Sequence, residues 1–348
     1  ARIEQWNPTL NAIVTLVPER AQAWADEADE RQARGEPLGP LHGLPIAHKD
    51  LVMTAGIRST SGSPLLADHV PTHDDLIVTR LRRAGAITIG KTNVPEFGAG
   101  SQTFNPVFGA TRTPWDPTRT CGGSSAGAAV ALAPGMLPIA DGSDMGGSIR
   151  IPPNFCNVVG LRPSPGRVAS VPAAMAWDGL PVLGPMARTV EDTALLLSAI
   201  AGPDARAPLS LETPGARFAE PLERDFARTS LAFDPDLGGL PVDRRVATAL
   251  EDGLGGFGDI GARVEREGID WSGADEAFQT LRAWTFASSF ASLPDAGFAR
   301  LKDTIQWNVR KGRALSGDEV SRAERLRTAL QGRLAELLRT HEVLRLPV

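Results

Sequence analysis

Two glycine-rich turns each carry a serine that could take part in catalysis or in binding a negative charge. Each turn reads Gly-Gly-Ser, and the serines are Ser124 in the first turn and Ser148 in the second. Glycine allows positive φ and lets a substrate approach the backbone closely. Where such a turn feeds a helix, its unpaired N–H groups favour negative charge, either a phosphate or the oxyanion of acyl transfer. The pattern leaves both chemistries open, beside the simpler interpretation that glycine and serine only make turns.

A lysine at the end of an apolar segment is the third candidate. Lys49 follows the residues Leu-Pro-Ile-Ala-His, so that it ends a predicted strand over residues 44–49. A lysine in this position is usually a solvated strand end. If its amine is buried instead, its pKa falls and it can act as a base. The sequence alone leaves both interpretations open.

A phosphate-loop pattern, GxxxxGK[ST], spans Gly85 to Thr92 and offers a different function. A true phosphate loop needs a strand before its first glycine and a helix after its Lys-Thr pair. Here a predicted helix that Asp74 caps runs up to Gly85, and the middle residues Ala-Ile-Thr-Ile are typical of a buried strand. We therefore predict a strand and keep nucleotide binding by residues 85–92 as the alternative from another functional class.

The elements that must position these residues alternate between strand and helix. Between the two serine turns, residues 126–133 predict a small-residue helix and residues 136–140 a short strand. Residues 228–233, 243–252 and 262–265 predict a strand–helix–strand unit, which implies a parallel pair. A further strand is predicted at 12–17. Five further helices are predicted: one that begins at Pro18, one between Ser148 and Gly160, one that Thr189 caps, one at 275–291 and one at 316–339. The order predicts an α/β fold in one domain, residues 1–348.

Composition excludes several classes of protein. The chain of 348 residues has 36 Lys and Arg against 41 Asp and Glu, which indicates neither a nucleic-acid nor a membrane surface. Two cysteines and five histidines form no CxxC or HExxH pattern, so we predict no disulfide and no metal site. No apolar run approaches the ~20 residues of a membrane span. We expect a cytoplasmic protein without a signal peptide.

A long stretch of low regularity, residues 96–120, leads into the first serine turn. Long ordered loops without their own elements are often functional. We expect this stretch to form one wall of a pocket beside the first serine turn. Gly100 and Ser101 within it, and Ser125 beside Ser124, are the candidate substrate contacts.

Five ordered motifs resemble the amidase signature family, and looser similarity extends over nearly all of the chain. They are GLPIAHKD (43–50), GKTNVPEF (90–97), NPVFGATRTPWD (105–116), GGSSAG (122–127) and DMGGSIRIP (144–152). The resemblance implies a large mixed β-sheet enclosed by α-helices. It also implies that both natural termini lie outside this sequence, which starts without Met.

The resemblance implies a Ser–cis-Ser–Lys triad. Ser148 matches the acylated nucleophile, Ser124 the bridging serine after a cis peptide, and Lys49 the base. Lysine takes a proton only when neutral, so its pKa must fall well below ~10.4. Ser124 would relay protons between Lys49 and Ser148 and later protonate the departing amine. The implied oxyanion hole consists of backbone N–H groups of Met145, Gly146, Gly147 and Ser148.

The implied activity is hydrolysis of a small-molecule amide through a serine acyl-enzyme, without a cofactor. The alternative within the family is the amidase subunit of a glutamyl-tRNA(Gln) amidotransferase; Ile151 counts against it, because that subunit typically has glutamine there. Ala126 replaces a glycine common in the family and touches no catalytic atom. Cys121 beside the loop is interpreted as a buried filler. The sequence is also compatible with a homodimer.

Overall fold

All 348 residues are described in a computed structural model, in which eleven strands and twelve α-helices alternate along the chain. The strands are β1 Ile13–Leu16, β2 Pro45–Lys49, β3 Ile87–Thr92, β4 Phe104–Asn105, β5 Gly109–Ala110, β6 Ile139–Asp144, β7 Val159–Gly160, β8 Val182–Ala187, β9 Ser230–Phe233, β10 Arg263–Arg266 and β11 Val343–Arg345. The helices are α1 Arg2–Leu10, α2 Pro18–Ala33, α3 Leu76–Arg83, α4 Ala126–Leu132, α5 Ile151–Cys156, α6 Val190–Ile200, α7 Arg244–Asp252, α8 Gly255–Asp259, α9 Ala274–Ser289, α10 Asp295–Phe298, α11 Asp303–Arg313 and α12 Gly317–Leu337.

The chain divides into two compact units. The first unit consists of Ala1–Pro221 and Leu293–Thr304, and the second of Leu222–Ser292 and Ile305–Val348. The α/β class predicted from the sequence is confirmed in both. Hydrogen bonds group the strands into four sheets of two or three strands, with β2 lying against β6 in the first unit. The expectation of a single domain stays a prediction.

In the first unit, two sheets position the candidate residues. One has the order β1-β3-β2, with β2 and β3 parallel, and Lys49 at the end of β2 lies opposite Thr92 of β3. The other has the order β6-β8-β7 and is antiparallel. The end of β6 leads directly into the second serine turn. Lys49 and Ser148 therefore both lie where a strand of this unit ends.

Helix α4 begins at the first serine turn and is buried throughout. Its sequence, AGAAVAL, consists mostly of small residues, and it packs against β2, β3, β6 and α5. A Cβ atom on Gly127 would lie 2.2 Å from the backbone nitrogen of Asn93, so only glycine permits this approach. The small-residue helix thereby packs closely against the end of β3, which pairs with the end of β2 at Lys49.

In the second unit, three parallel strands form a sheet of order β10-β9-β11. The predicted strand–helix–strand unit is confirmed here, since β9 and β10 are parallel and α7 lies between them in the chain. Helices α9 and α12 pack along each other, and Ser316 and Glu319 form a capping box at the start of α12. The predicted helix at 316–339 is therefore confirmed with slightly shorter bounds.

Several local predictions are confirmed and others are wrong. Residues 87–92 form a strand, and Thr189 caps α6 by accepting a hydrogen bond from the Asp192 N–H. Asp74 is not a cap: helix α3 begins at Leu76, and the Asp74 carboxylate instead accepts the Ala55 N–H at 2.7 Å. This carboxylate therefore fixes the loop that follows Lys49.

Two further element bounds need correction. The strand predicted at 136–140 runs instead from Ile139 to Asp144, because pairing with β8 extends it through Gly142 and Ser143. Helix α5 ends at Cys156, where Asn157 adopts φ 55°, four residues before the predicted end. Helix α11 was not predicted. No helix is both long enough and apolar enough to cross a membrane.

Candidate active site

The Lys49 amine lies at the centre of a cluster of serine oxygens. The whole residue is 0% exposed. Its Nζ is 2.8 Å from Ser124 Oγ, 2.8 Å from Ser125 Oγ and 2.9 Å from Ser143 Oγ, and it also donates to the Ser143 carbonyl at 3.2 Å. Of the two interpretations left open by the sequence, the buried amine is the one observed. The amine is held by hydroxyl groups, with no carboxylate in direct contact.

Burial lowers the pKa of Lys49 to about 7, because water no longer solvates the ammonium form. The negative charges of Asp144 and Asp141 oppose this shift and keep the pKa from falling further. An amine with such a pKa is substantially neutral near pH 7. It can therefore accept a proton from a neighbouring hydroxyl.

Asp144, at the end of β6, holds the turn that carries Ser148. Its buried carboxylate accepts the backbone N–H groups of Gly147 at 2.8 Å and Ile149 at 3.0 Å, which flank Ser148 in the chain. The Arg150 guanidinium donates to both carboxylate oxygens at 3.0 Å. Burial would raise the pKa of Asp144, but these hydrogen bonds and the Arg150 charge outweigh it and hold the pKa below its usual range. The turn is therefore clamped by an ionised carboxylate.

A second buried carboxylate fixes the backbone of Lys49. Asp141 Oδ1 accepts the Lys49 N–H at 2.7 Å, and Asp141 Oδ2 lies 2.5 Å from His48 Nδ1. The other ring nitrogen of His48 contacts Thr88 Oγ1 at 3.1 Å, and all of these side chains are at most 1% exposed. Sequence reasoning missed this group. The signal was present in two polar residues within apolar segments, His48 in Ile-Ala-His-Lys and Asp141 in Ile-Ala-Asp-Gly.

The first serine turn has the cis peptide that the resemblance implies, between Gly123 and Ser124. Ser124 is 2% exposed. Ser125 is entirely buried, and its hydroxyl accepts from Lys49 and donates to the Ser143 carbonyl at 3.2 Å. The prediction that Ser125 contacts substrate is therefore not supported by the structure. Its hydroxyl is occupied inside the protein and positions the Lys49 amine.

Ser148 lies in the turn after β6, and its side chain is half-buried. No hydrogen bond joins its hydroxyl to Ser124 in this structure, so the predicted relay is formed between Lys49 and Ser124 alone. Among the four predicted oxyanion donors, the Gly147 N–H is occupied by Asp144. The N–H groups of Met145, Gly146 and Ser148 have no acceptor within the protein.

The other two predicted substrate contacts lie close to the first serine turn. A Cβ atom on Gly123 would lie 3.0 Å from the Ser101 carbonyl carbon, and Gly100 directly precedes Ser101 in the same loop. Ser101 is exposed and Gly100 is partly exposed. Ser101 therefore lies beside the Ser124 turn. The contact of both residues with substrate stays a prediction.

The competing site residues lie in settings that do not favour their chemistry. Lys91 of the phosphate-loop pattern is 0% exposed within β3, and its amine donates to the Val52 carbonyl and, at 2.9 Å, to Thr54 Oγ1. No loop or helix N-terminus is present there to cradle a phosphate. Cys121 is also buried, and burial raises the pKa of its thiol to about 12. A thiol with that pKa is not a nucleophile near pH 7, as expected for a filler.

Comparison with known proteins gives consistent matches. The family model described as Amidase matches residues 1–345. An acylamidase from Rhodococcus erythropolis is 34% identical over 356 aligned residues, which cover 99% of this chain and 72% of that protein. A glutamyl-tRNA(Gln) amidotransferase subunit from Geobacillus kaustophilus is 40% identical over 313 residues, which cover 90% of this chain and 63% of that protein.

Solved structures agree with these sequence matches. The crystal structure of a bacterial aryl acylamidase belonging to the amidase signature enzymes superposes with a TM-score of 0.90 at 29% identity, and the match covers 99% of this chain and 75% of the acylamidase. The predicted family, fold class and enzyme class are thus confirmed together. On this match over nearly its whole length, the chain belongs to the amidase family and is an amide hydrolase.

Proposed function

We propose that the chain cleaves the C–N bond of an N-acyl amide through an acyl-enzyme on Ser148. In this proposal Lys49 is the base and Ser124 relays the proton. The observation that carries it is the wholly buried Lys49 amine, with a pKa lowered to about 7, at 2.8 Å from Ser124 Oγ. A lysine in this state accepts a proton near neutral pH, which an ordinary solvated lysine does not.

The hydrogen-bond directions around the amine support the relay. A neutral amine has two N–H groups to donate and one lone pair that accepts. Ser125 donates its own proton to the Ser143 carbonyl, so its oxygen accepts from Lys49. Ser143 offers further oxygens for the second N–H. The lone pair is then left for the Ser124 hydroxyl, which is the direction of proton flow that the mechanism needs.

Acylation follows from this arrangement. Ser148 Oγ attacks the amide carbonyl while its proton passes to Ser124 Oγ, and the Ser124 proton passes to Lys49. Ser124 then protonates the departing amine as the tetrahedral intermediate collapses and its C–N bond breaks, and Lys49 returns its extra proton to Ser124. A water molecule then attacks the resulting ester while its proton passes through Ser124 to Lys49, and the relay returns a proton to Ser148 Oγ as the ester C–O bond breaks and the carboxylate leaves.

The negative oxygen of the tetrahedral intermediate needs donors that point at it. The free N–H groups of Met145, Gly146 and Ser148 belong to the turn that Asp144 clamps, and we assign the oxyanion hole to them. One such donor contributes roughly 3 kcal/mol to transition-state stabilisation. The Gly147 N–H has a structural role and is left out of the proposed oxyanion hole, because it donates to Asp144.

The likeness to acylamidases suggests the substrate class. The Rhodococcus acylamidase and the structurally similar aryl acylamidase cover nearly all of this chain. We therefore propose an N-acyl or N-aryl amide as substrate. Gly100 and Ser101 remain the proposed substrate contacts. A cytoplasmic location, a homodimer and natural termini outside this sequence also remain predictions.

The amidotransferase subunit is the second candidate function. Identities of 39–42% with such subunits exceed that with the acylamidase, although they cover less of this chain. Transfer of ammonia to glutamyl-tRNA would need partner subunits, whereas amide hydrolysis would not. Turnover of an acyl anilide by the purified chain, with no complex formed on co-expression with such partners, would favour the amidase.

Intact-protein mass spectrometry after treatment with a small fluorophosphonate tests the proposed nucleophile. We expect a single adduct that peptide mapping places on Ser148, that is absent from Ser148→Ala and that forms slowly in Lys49→Met. Ser288→Ala is the control, since Ser288 is an exposed serine of the second unit and belongs to neither the proposed triad nor the proposed substrate contacts. An adduct that persists in folded Ser148→Ala would refute the assignment of the nucleophile.

A further inference from the structure

In place of the expectation from sequence motifs that the chain has no metal site, we propose that the second unit contains a binding site for a divalent metal ion, formed by Glu265, Glu267 and His341. Glu265 lies on β10, Glu267 follows directly after β10, and His341 lies two residues before β11. One ligand atom from each residue comes within 4.8 Å of the other two. The proposed ion is a borderline divalent cation such as Zn²⁺. We call these three residues the Glu-Glu-His cluster.

The orientation of His341 is the main observation. The residue is 4% exposed, and its Nδ1 contacts the Leu337 carbonyl at 3.4 Å and Thr340 Oγ1 at 3.1 Å. A carbonyl only accepts hydrogen bonds, so the proton of the neutral ring belongs on Nδ1. The lone pair is then on Nε2, which is buried and has no hydrogen-bond partner. A ring held through Nδ1 by a backbone carbonyl is the usual arrangement of a metal-binding histidine.

The distances within the cluster also favour a shared ion. His341 Nε2 is 3.7 Å from Glu265 Oε2 and 3.8 Å from Glu267 Oε2. Direct N–H···O hydrogen bonds would be ~2.7–3.2 Å long. Nitrogen and oxygen ligands at ~2.0–2.2 Å from a tetrahedral zinc ion lie roughly 3.3–3.6 Å apart. The imidazole nitrogen is therefore spaced from both carboxylates for an ion between them, with a small contraction on binding, and the two carboxylate ligand atoms lie within 4.8 Å of each other.

The charges fit a divalent cation. Two carboxylates and a neutral imidazole carry two negative charges, and no lysine is part of the cluster. Arg263 Nη2 lies 2.8 Å from Glu265 Oε1 and so turns the other oxygen, Oε2, toward His341. The imidazole favours zinc, cobalt or nickel over magnesium or calcium. Three protein ligands leave a fourth position for water, and the half-exposed Glu267 gives the ion a route of entry.

Such an ion would join two segments that β9 separates in the sheet, the end of β10 and the turn before β11. Because the ion would bind the folded form, it would stabilise the second unit by mass action. This inference does not depend on the proposed amidase mechanism, since none of its residues belongs to the active site.

The test is titration of the chelator-stripped protein with Co²⁺, followed by visible absorption, and with Zn²⁺, followed by calorimetry. We expect one ion per chain and a rise in Tm with Zn²⁺. His341→Gln and Glu267→Gln should each weaken binding by at least about tenfold. His73→Gln and Glu342→Gln are the matched controls and should bind as the original does, because His73 is an exposed histidine elsewhere and Glu342 pairs with Arg224.

Each result of the titration either supports or overturns the metal site. Saturable binding that both cluster variants weaken and both controls retain supports the site. No saturable binding, or binding that Glu267→Gln leaves unchanged, overturns it. If His341→Gln does not fold, the exposed Glu267 variant decides by itself.

Discussion

Two lysines of neighbouring parallel strands are equally buried, yet only one has the hydroxyl of a glycine-turn serine beside its amine. Lys49 ends β2 and Lys91 lies in β3, and both are 0% exposed. Burial lowers the pKa of both, to about 7 for Lys49 and to about 8 for Lys91. A depressed pKa therefore does not distinguish the two residues.

Their neighbours do distinguish them. Lys49 contacts hydroxyl groups, among them that of Ser124, which can hand over a proton. Lys91 donates to the Val52 carbonyl and to Thr54, and the charge of the nearby Asp50 carboxylate favours its ammonium form. Lys91 thus fastens the loop that follows Lys49. A buried lysine is a candidate base when a hydroxyl that leads to a nucleophile lies within reach of it.

The largest expected difference between these two lysines is in activity. Lys49→Met should lower kcat/KM by about 10⁴-fold, because it removes the base. Lys91→Met should change kcat/KM by less than about tenfold when referred to folded protein. Steady-state hydrolysis of an acyl anilide, with circular dichroism to confirm folding, measures both. Equal losses in the two variants would remove the distinction.

The next expected effect tests the hydroxyl beside Lys49. Ser124→Ala should lower kcat/KM by about 10²–10³-fold, less than Ser148→Ala, because water can partly replace the relay. Ser125→Ala provides the comparison within the same turn, and its loss should be smaller, since Ser125 only positions the amine. If Ser125→Ala lowered kcat/KM more than Ser124→Ala, the roles proposed for these two serines would have to be exchanged.

Stability should show the opposite order for the lysines. Lys91→Met removes the amine that donates to the Val52 carbonyl and to Thr54 Oγ1, so that only the Thr54 hydroxyl still donates to this carbonyl. It also leaves the buried Asp50 carboxylate without its nearby positive charge. We expect the free energy of unfolding to fall by about 2–4 kcal/mol. Urea denaturation measures this change. In the double variant, Asp50→Asn should restore part of the lost free energy of unfolding. If the effects of the two substitutions on this free energy simply added, Lys91 and Asp50 would not be energetically coupled.

The smallest expected effect is a shift in the pH profile. Lys49 works as a base only when deprotonated, so kcat/KM should rise with pH through a midpoint near 7. Asp141 raises the pKa of Lys49, so Asp141→Asn should move the midpoint to lower pH, by less than about one unit. The same substitution retains an oxygen that can accept the Lys49 N–H. A shift to higher pH would contradict the sign of this interaction.

The sequence by itself determined the family and part of the secondary structure. Its motifs identified the family and singled out Lys49, Ser124 and Ser148 as the proposed triad. The apolar Ala-Ile-Thr-Ile segment correctly predicted a strand in place of a phosphate loop. Local patterns carry this information because a strand period, a helix cap or a glycine turn depends on residues close together in the chain. The Thr189 cap and the small-residue helix α4 were predictable for the same reason.

Only the tertiary structure decided which chemistry these residues can do. Lys49 meets Ser124 across 75 positions and Ser143 across 94, and Asp141 reaches its backbone across 92. The burial that lowers its pKa and the internal role of Ser125 follow from such distant contacts. The occupation of the Gly147 N–H by Asp144 spans only three positions and depends on the conformation of the turn. Desolvation and hydrogen-bond partners are properties of the packed site, so no local pattern could fix them.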